Sequence, residues 1–312
     1  MRVIGEAEAA AVLARLDLPE IVRDVVRRQA EGTAVVPVRA SLEYEGVWFA
    51  AMPALVAGSA LGAKLVAAFS ANAARGAPTH DAAVVLFDAG TGAPFAVVAG
   101  EALTRARTAA ISVVATQALA ARPRGRHAIL GAGAQAHAHL AAFARAGLLD
   151  DLCVWSRTHA HAVALAEAAR ALGCAARIAP SAGDAVTGCD VVTTVTAAAQ
   201  PLFDAAAVAP QVHVNAVGAC VAHKRELPGA LVRRAFVVTD STAAARVESG
   251  DLLLEAPLGD ALWDSVAELG AVLVREFRRT PTVFISLGIG SVDVAVAAEV
   301  AAAVAPATRS SC

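Results

Sequence analysis

The sequence predicts an α/β chain of two domains, with a doubly wound parallel sheet following an α+β sheet domain. Three observations predict it. After Pro123, continuously apolar strands alternate with helical segments, as in a parallel sheet covered on both faces. Before it, the apolar period is shorter and interrupted by tight-turn residues, as in antiparallel hairpins. Between the two, HAILGAGAQAHAHL sets a glycine-rich turn between an apolar strand and a helix.

At 312 residues the chain has room for two cores of ordinary size. Hydrophobic residues make up 57% and charged residues 17%, which excludes a disordered or fibrous chain. A net charge of -2 gives no basic field to draw nucleic acid or an anionic membrane. Arg, Asp, Glu or Gly breaks every long apolar run, so no membrane span is expected. The N-terminal MRVIGEAEAAAV has acids where a secretory signal has its apolar centre. The five cysteines form neither a CxxC pair nor a zinc spacing, and no metal is expected. Reduced thiols, a soluble chain and a cytoplasmic location are the expectation.

One skew is informative. Of 26 basic residues only Lys64 and Lys224 are lysine, and Asn72 and Asn215 are the only asparagines. Lysine that survives such drift marks places where a compact, deprotonatable amine is needed and Arg will not serve.

Residues 6–31 read as helical, with Ile21, Val22, Val25 and Val26 on one stripe and Gly32 as a stop. VVPVRASLEY, a Glu45-Gly46 turn and VWFAAMPALV read as a hairpin, followed by strands GAKLVAAFS, AAVVLFD and FAVVAG. A long helix then ends at Pro123. Beyond it, HAILG, LCVWS, ARIAP, DVVTTVT, VHVNAVG, FVVTD and TVFIS read as strands. The last leads through Leu287, Gly288 and Gly290 into an Ala/Val helix that is expected to pack back on the first domain, with the terminal ATRSSC frayed. The expected boundaries are 1–120, joined by helix 291–312, and 121–290.

In the glycine-rich segment, Gly131 makes the tight turn, Gly133 admits a pyrophosphate to the backbone, and Ala136 allows close helix–strand packing. Ala134 and Gln135 open the helix, whose N-terminus offers unpaired N–H groups to an anion. This is the Rossmann dinucleotide setting; the alternative is a glycine turn in another α/β sheet. An NAD-selective site ends its second strand in Asp or Glu. Here LCVWS runs into Ser156, Arg157 and Thr158, with no acid. A guanidinium between two hydroxyls suits a 2'-phosphate, so NADPH is favoured over NADH, the alternative being an ordinary surface Arg.

In the first domain Lys64 lies inside an apolar strand, and Arg39 and Arg107 are cations in apolar settings. An isolated buried ammonium is costly. Each alone also fits a snorkelling surface chain; three together suggest a pocket for a small carboxylate. His80 and Asp81 are candidates for the same pocket, and Asp293 reads equally as an ordinary first-turn helix acid.

These motifs resemble the ornithine cyclodeaminase/mu-crystallin family. The resemblance runs through Arg39, Met52-Pro53, Lys64, Asn72, Gly76 to His80, Thr91-Gly92, Thr104, Arg107 to Ala110, GAGAQA, Asn215 to Gly218, Arg225-Glu226-Leu227 and Ser286 to Gly288. VWSRT, TVFISLG and ESGDLLL are similar to forms of the mu-crystallin branch, an NADPH-dependent ketimine reductase. The resemblance implies that Arg39, Lys64 and Arg107 hold a substrate carboxylate; His80, which reads equally as a structural histidine, and Cys220 are further candidates for the catalytic set. It implies that Thr108 helps bind the pyrophosphate, that Thr196 and Val217 line the cofactor site, and that the first domain forms a homodimer. True cyclodeaminases carry a catalytic Asp two residues after the glycine of the NAVG motif, where this chain has Cys220 and mu-crystallin has Ser.

The expected function is thus NADPH-dependent reduction of a small cyclic ketimine carboxylate, Δ1-pyrroline-2-carboxylate or Δ1-piperideine-2-carboxylate, to proline or pipecolate. The alternatives are ornithine cyclodeamination, an amino-acid dehydrogenase, and a non-enzymatic small-ligand protein.

Overall fold

The computed structural model describes residues 1–275 and 279–304. The fraying expected of ATRSSC lies outside them. In chain order the first elements are β1 (Arg2–Ile4), α1 (Glu6–Leu13), α2 (Leu18–Ala30), β2 (Ala34–Val35), β3 (Ala40–Tyr44) and β4 (Val47–Val56). Then come β5 (Ala60–Phe69), β6 (His80–Phe87), β7 (Pro94–Ala99) and α3 (Glu101–Leu119). The alternating part holds β8 (Arg126–Leu130), α4 (Ala134–Arg145), β9 (Asp151–Trp155), α5 (His159–Ala171), β10 (Ala175–Ile178), α6 (Ala182–Val186) and β11 (Val191–Thr194). It continues with β12 (His213–Ala216), α7 (Gly229–Arg234), β13 (Phe236–Thr239), α8 (Thr242–Glu248) and α9 (Gly250–Leu253). β14 (Ala267–Glu268), α10 (Leu269–Val274), β15 (Thr282–Ile285) and α11 (Gly290–Val304) complete it. Two compact units result: Met1–Arg107 with the segment from Ile289 onward, and Thr108–Gly288. The division falls inside α3, whereas the change of pattern in the sequence sits near residue 120. The helix runs through the division, so the proline at 123 marks only where α3 has ended.

The first unit is a seven-stranded sheet in the order β1-β7-β6-β5-β4-β2, with β3 also on β4. β1 is parallel to β7 and every other pairing is antiparallel. Strand alternation separates the two faces. Ala50, Met52, Ala54 and Val56 of β4 are buried, and the register sets Met52 opposite Lys64 and Lys64 opposite Val84. Lys64 therefore belongs to the covered face. α11 packs on β4, β5 and β6 of that face and on α2. A Cβ at Gly290 would lie 2.7 Å from the Met52 carbonyl oxygen, so glycine is what lets the helix start this close. α11 is apolar almost all round because it is buried almost all round.

Two sequence expectations change here. The helical stretch 6–31 is two helices, because the Asp17 side chain accepts the Glu20 N–H at 3.2 Å and Pro19 supplies a helix-starting residue without an N–H. β1 and β14, of three and two residues, are too short to show a period and were not anticipated.

The second unit is an eight-stranded sheet in the order β10-β9-β8-β11-β12-β15-β13-β14, parallel throughout. The order reverses between β8 and β11, and ligands of such sheets bind at the carboxyl ends of the strands at that switch. Its central strands bury polar groups in pairs. Asn215 Nδ2 donates to Thr116 Oγ1 at 2.9 Å, and His213 Nδ1 lies 2.9 Å from Thr282 Oγ1. Burial pushes the His213 imidazole down to about 3, so it is neutral in the fold. Among the described residues no helix is long and apolar enough to cross a membrane.

Candidate active site

The carboxyl end of β8 forms the first part of the site. Gly131 has φ 108 and its N–H donates to the Trp155 carbonyl at 2.8 Å. A Cβ there would lie 2.6 Å from the Val195 carbonyl oxygen, so glycine is required by both backbone angle and space. Gly133 differs. It is the N-cap of α4, no side chain caps the helix, and a Cβ on it would meet no atom within 4 Å. The helix N-terminus therefore faces open space with its N–H groups available, as a pyrophosphate requires. Ala134 beside it is exposed, and Ala136 is fully buried against the sheet. Gln135 Oε1 is buried without a hydrogen-bond partner. These residues fit a dinucleotide.

At the end of β9, Arg157 and Thr158 are exposed, and Ser156 Oγ accepts the Thr158 N–H at 3.3 Å. Thr158 is the N-cap of α5 and its side chain makes no capping bond. Thr108 is buried in α3. Thr196 and Val217 follow β11 and β12, on the same edge of the sheet as the glycine turn.

What organises that edge is Glu226, quoted in the sequence pattern without a role. Its carboxylate is fully buried and accepts Thr194 Oγ1 at 2.8 Å, Thr196 N–H at 2.7 Å, Thr196 Oγ1 at 2.6 Å and Gly218 N–H at 2.8 Å. One side chain thus ties the loops after β11 and β12 together. Burial pushes the Glu226 carboxyl up, and these four donors pull it back. Asp251 holds it in turn, its Oδ1 accepting the N–H groups of Glu226 and Leu227 at 2.9 and 2.8 Å. Burial, then the charge of Glu226, push Asp251 up to about 7 against the pull of those two N–H groups. Cys220 is half-buried, and its thiol donates to the Val217 and Ser286 carbonyls at 3.4 and 3.5 Å.

The first unit carries the cations. Lys64 on β5 and Arg107 on α3 are 3% and 5% exposed, and both point at Asp293 on α11, which is 0% exposed. Lys64 Nζ lies 3.1 Å and Arg107 Nε 2.8 Å from the same oxygen, Oδ1. Asp293 Oδ2 has no hydrogen-bond partner. Burial lowers Lys64 to about 8; Asp293 pulls it upward, while Arg107 and, more weakly, Arg39 push it down. Arg39 is thus within electrostatic reach, half-buried before β3. The structure brings Lys64, Arg107 and Arg39 together and adds Asp293. It does not bring in His80. That residue is exposed, paired with its neighbour Thr79 at 3.1 Å, and opposite Ala68 rather than Lys64. Four residues of strand separate its register position from that of Lys64, about 13 Å. Asp81 is exposed and accepts the N–H of Ala82 at 2.8 Å.

A doubly wound parallel sheet with an open glycine turn at its switch point defines a dinucleotide-dependent enzyme. The chain belongs to the ornithine cyclodeaminase/mu-crystallin family, whose model matches residues 4–306. It is 38% identical over 269 residues to the ketimine reductase mu-crystallin of Rattus norvegicus, covering 84% of this chain and 81% of that one. It is 35% identical to Delta(1)-pyrroline-2-carboxylate reductase 1 of Burkholderia multivorans, covering 92% of each. In structure it is similar to Delta(1)-pyrroline-2-carboxylate reductase of Thermococcus litoralis in complex with NADH and L-proline, with TM-score 0.90, 29% identity and 96% of each chain covered.

The two glycines give a paired test. Gly133→Val is expected to leave the thermal midpoint within a few degrees of the parent while abolishing dinucleotide binding by fluorescence titration, since the added side chain enters ligand space only. Gly131→Val is expected to destabilise the fold. Full binding by Gly133→Val would move the pyrophosphate elsewhere.

Proposed function

We propose that the chain reduces a small cyclic ketimine carboxylate with NADPH, converting Δ1-pyrroline-2-carboxylate or Δ1-piperideine-2-carboxylate to proline or pipecolate. The chain is an NAD(P)H-dependent oxidoreductase whose relatives include ketimine and Delta(1)-pyrroline-2-carboxylate reductases. The observation that carries the proposed reaction is the buried Lys64–Arg107 pair. Two cations withdrawn from water and converging on one carboxylate oxygen form a ready-made anion receptor.

A bound reduced nicotinamide supplies the hydride. The chain's own residues do the rest. Lys64 and Arg107, with Arg39, hold the substrate carboxylate and so fix the adjacent C=N carbon, an orientation contribution. Lys64, titrating near 8, holds a proton at neutral pH and is able to release it to the imine nitrogen. Cys220 donates its thiol to two backbone carbonyls, and a thiol does not replace a carboxylate in a deamination cycle, which favours imine reduction over ornithine cyclisation.

Support for NADPH comes from the loop after β9, where Arg157 is exposed between two hydroxyl residues and no acid stands. The Thermococcus protein was captured with NADH, so the preference proposed here rests on this loop alone. A charge-assisted hydrogen bond contributes roughly 1.5–3 kcal/mol. Arg157→Ala is therefore expected to weaken NADPH by about 10- to 100-fold and leave NADH nearly unchanged; equal losses for both refute the assignment.

We further propose that the first unit forms a homodimer through the uncovered face of its sheet. Leu42, Tyr44, Phe49, Phe69 and Phe95 are exposed, and the register places Leu42, Phe49 and Ala67 side by side, with Tyr44, Val47 and Phe69 next to them. An apolar sheet face of this extent is costly in water, and a second copy covers it with its own equivalent. Light scattering at micromolar concentration is expected to give twice the chain mass. A monomer would refute it.

The reductase reading is tested on Lys64. Lys64→Ala is expected to cut kcat/KM on a cyclic ketimine carboxylate by at least about 10- to 100-fold with NADPH affinity retained. Lys64→Arg is expected to fail as well, because a planar fork does not occupy the site of a compact ammonium. Near-normal activity in Lys64→Arg removes Lys64 from the site. The same assay with ornithine and no added reductant tests cyclodeamination.

A further inference from the structure

Asp293 is completely buried, so no substrate reaches it, yet it touches both cations of the receptor. Its partners are unusual in being so few. Oδ1 takes Lys64 Nζ and Arg107 Nε, and Oδ2 takes nothing. A carboxylate whose only task was to anchor α11 would be expected to use both oxygens, since an unpaired buried acceptor is costly. Here one oxygen is placed between a strand lysine and a helix arginine, and the other is left over.

Resting on the reductase reading above, we propose that Asp293 is the positioning residue of the carboxylate receptor: it fixes Lys64 and Arg107 at a set separation and keeps Lys64 charged. The geometry gives each half of this role. Drawing two donors onto one oxygen confines both side chains, so neither samples other rotamers when substrate arrives. Lys64 retains two further N–H groups and Arg107 its terminal guanidinium nitrogens, the donors a carboxylate needs. The charges facing Lys64 are Asp293 from α11, Arg107 from α3 and Arg39 from before β3, while its cross-strand neighbours Met52 and Val84 are apolar. Asp293 is the one anion in this set. Without it, burial and two arginines all act to drive the proton off Lys64.

The chain's composition supplies a direct readout, because it contains only two lysines. Full-length protein grown with lysine labelled at the ε-carbon shows two lysine signals, and Lys224→Arg removes one to assign the other. In the parent, Lys64 is expected to titrate near 8. In Asp293→Asn its midpoint is expected to fall by about 1 to 3 units, and the alkaline limb of kcat/KM on Δ1-pyrroline-2-carboxylate to fall with it. A folded Asp293→Asn in which Lys64 titrates as before, or in which its midpoint falls while the alkaline limb of kcat/KM stays put, overturns the proposal, since a merely structural carboxylate at this distance moves the lysine without moving catalysis. If Asp293→Asn does not fold, Asp293→Glu carries the test. It keeps the charge and displaces the oxygen, so the midpoint is expected to stay near the parent value while KM rises at least ten-fold. Unchanged KM, or failure of both variants to fold, makes Asp293 an anchor and ends the proposal. The lysine titration needs no substrate, so absence of imine turnover in the parent would sink the reductase reading while leaving Asp293 to be decided.

Discussion

The first unit is organised around three charges out of water. Removing Lys64, Arg107 and Asp293 from solvent costs several kcal/mol per ion, and breaking such a set by deleting one member is typically worse than never having formed it. Their pairing therefore constrains which elements must meet: β5, α3 and α11. Lys64 and Asp293 are 229 positions apart, with the whole parallel-sheet unit, Thr108–Gly288, between them in sequence, so the contact that neutralises the lysine is strongly non-local.

The second unit solves a different problem, that of holding several loop ends in fixed relation at one edge of a sheet. It does so with nested carboxylates. Glu226 gathers donors from beyond β11 and β12, and Asp251 gathers the backbone N–H groups of Glu226 and its neighbour. A third, Asp240, accepts the N–H groups of Leu287 and Gly288 at 2.9 and 2.7 Å, setting the turn from which the chain leaves for α11. An acceptor with two oxygens is well suited to loops that present N–H groups, because a carboxylate satisfies up to four donors without bringing any of its own.

Much of this was legible beforehand, for reasons that differ by element. Each strand predicted after Pro123 exists: the central ones are buried on both faces and largely apolar, whereas the edge strand β10 is partly exposed and was legible only from its place in the strand–helix alternation. β4 is apolar throughout and was legible from the Glu45-Gly46 turn before it; the alternation that buries its even-numbered residues from 50 to 56 shows only in the fold. β1 and β14 carry no period at their length. The break between α1 and α2 was written in Asp17-Leu18-Pro19 but lost inside one apolar stripe. In the site, Lys64 and Arg107 stood out because a cation in an apolar run demands an explanation. Asp293 did not stand out, because an acid in the first turn of a helix already has one in the helix dipole. Glu226 was hidden for a related reason. A carboxylate whose partners are backbone amides and threonine hydroxyls leaves no complementary charge in the sequence to mark it.

The lysine itself joins sequence to chemistry. In a chain with 26 basic residues and two lysines, arginine has been accepted nearly everywhere a positive charge is wanted. Charge alone thus does not explain Lys64. Two properties separate the side chains at this position. The ammonium is compact enough to sit 3.1 Å from an oxygen that also receives Arg107 Nε, where a second planar guanidinium would compete for the same approach. Its proton is also labile: burial brings Lys64 down to about 8, within reach of neutral pH, while a guanidinium keeps its charge under any such pressure. A pocket that only gripped a carboxylate would be served by three arginines. One that grips it and also exchanges a proton at neutral pH needs an amine, desolvated enough to release that proton and near enough to a carboxylate to keep it until then.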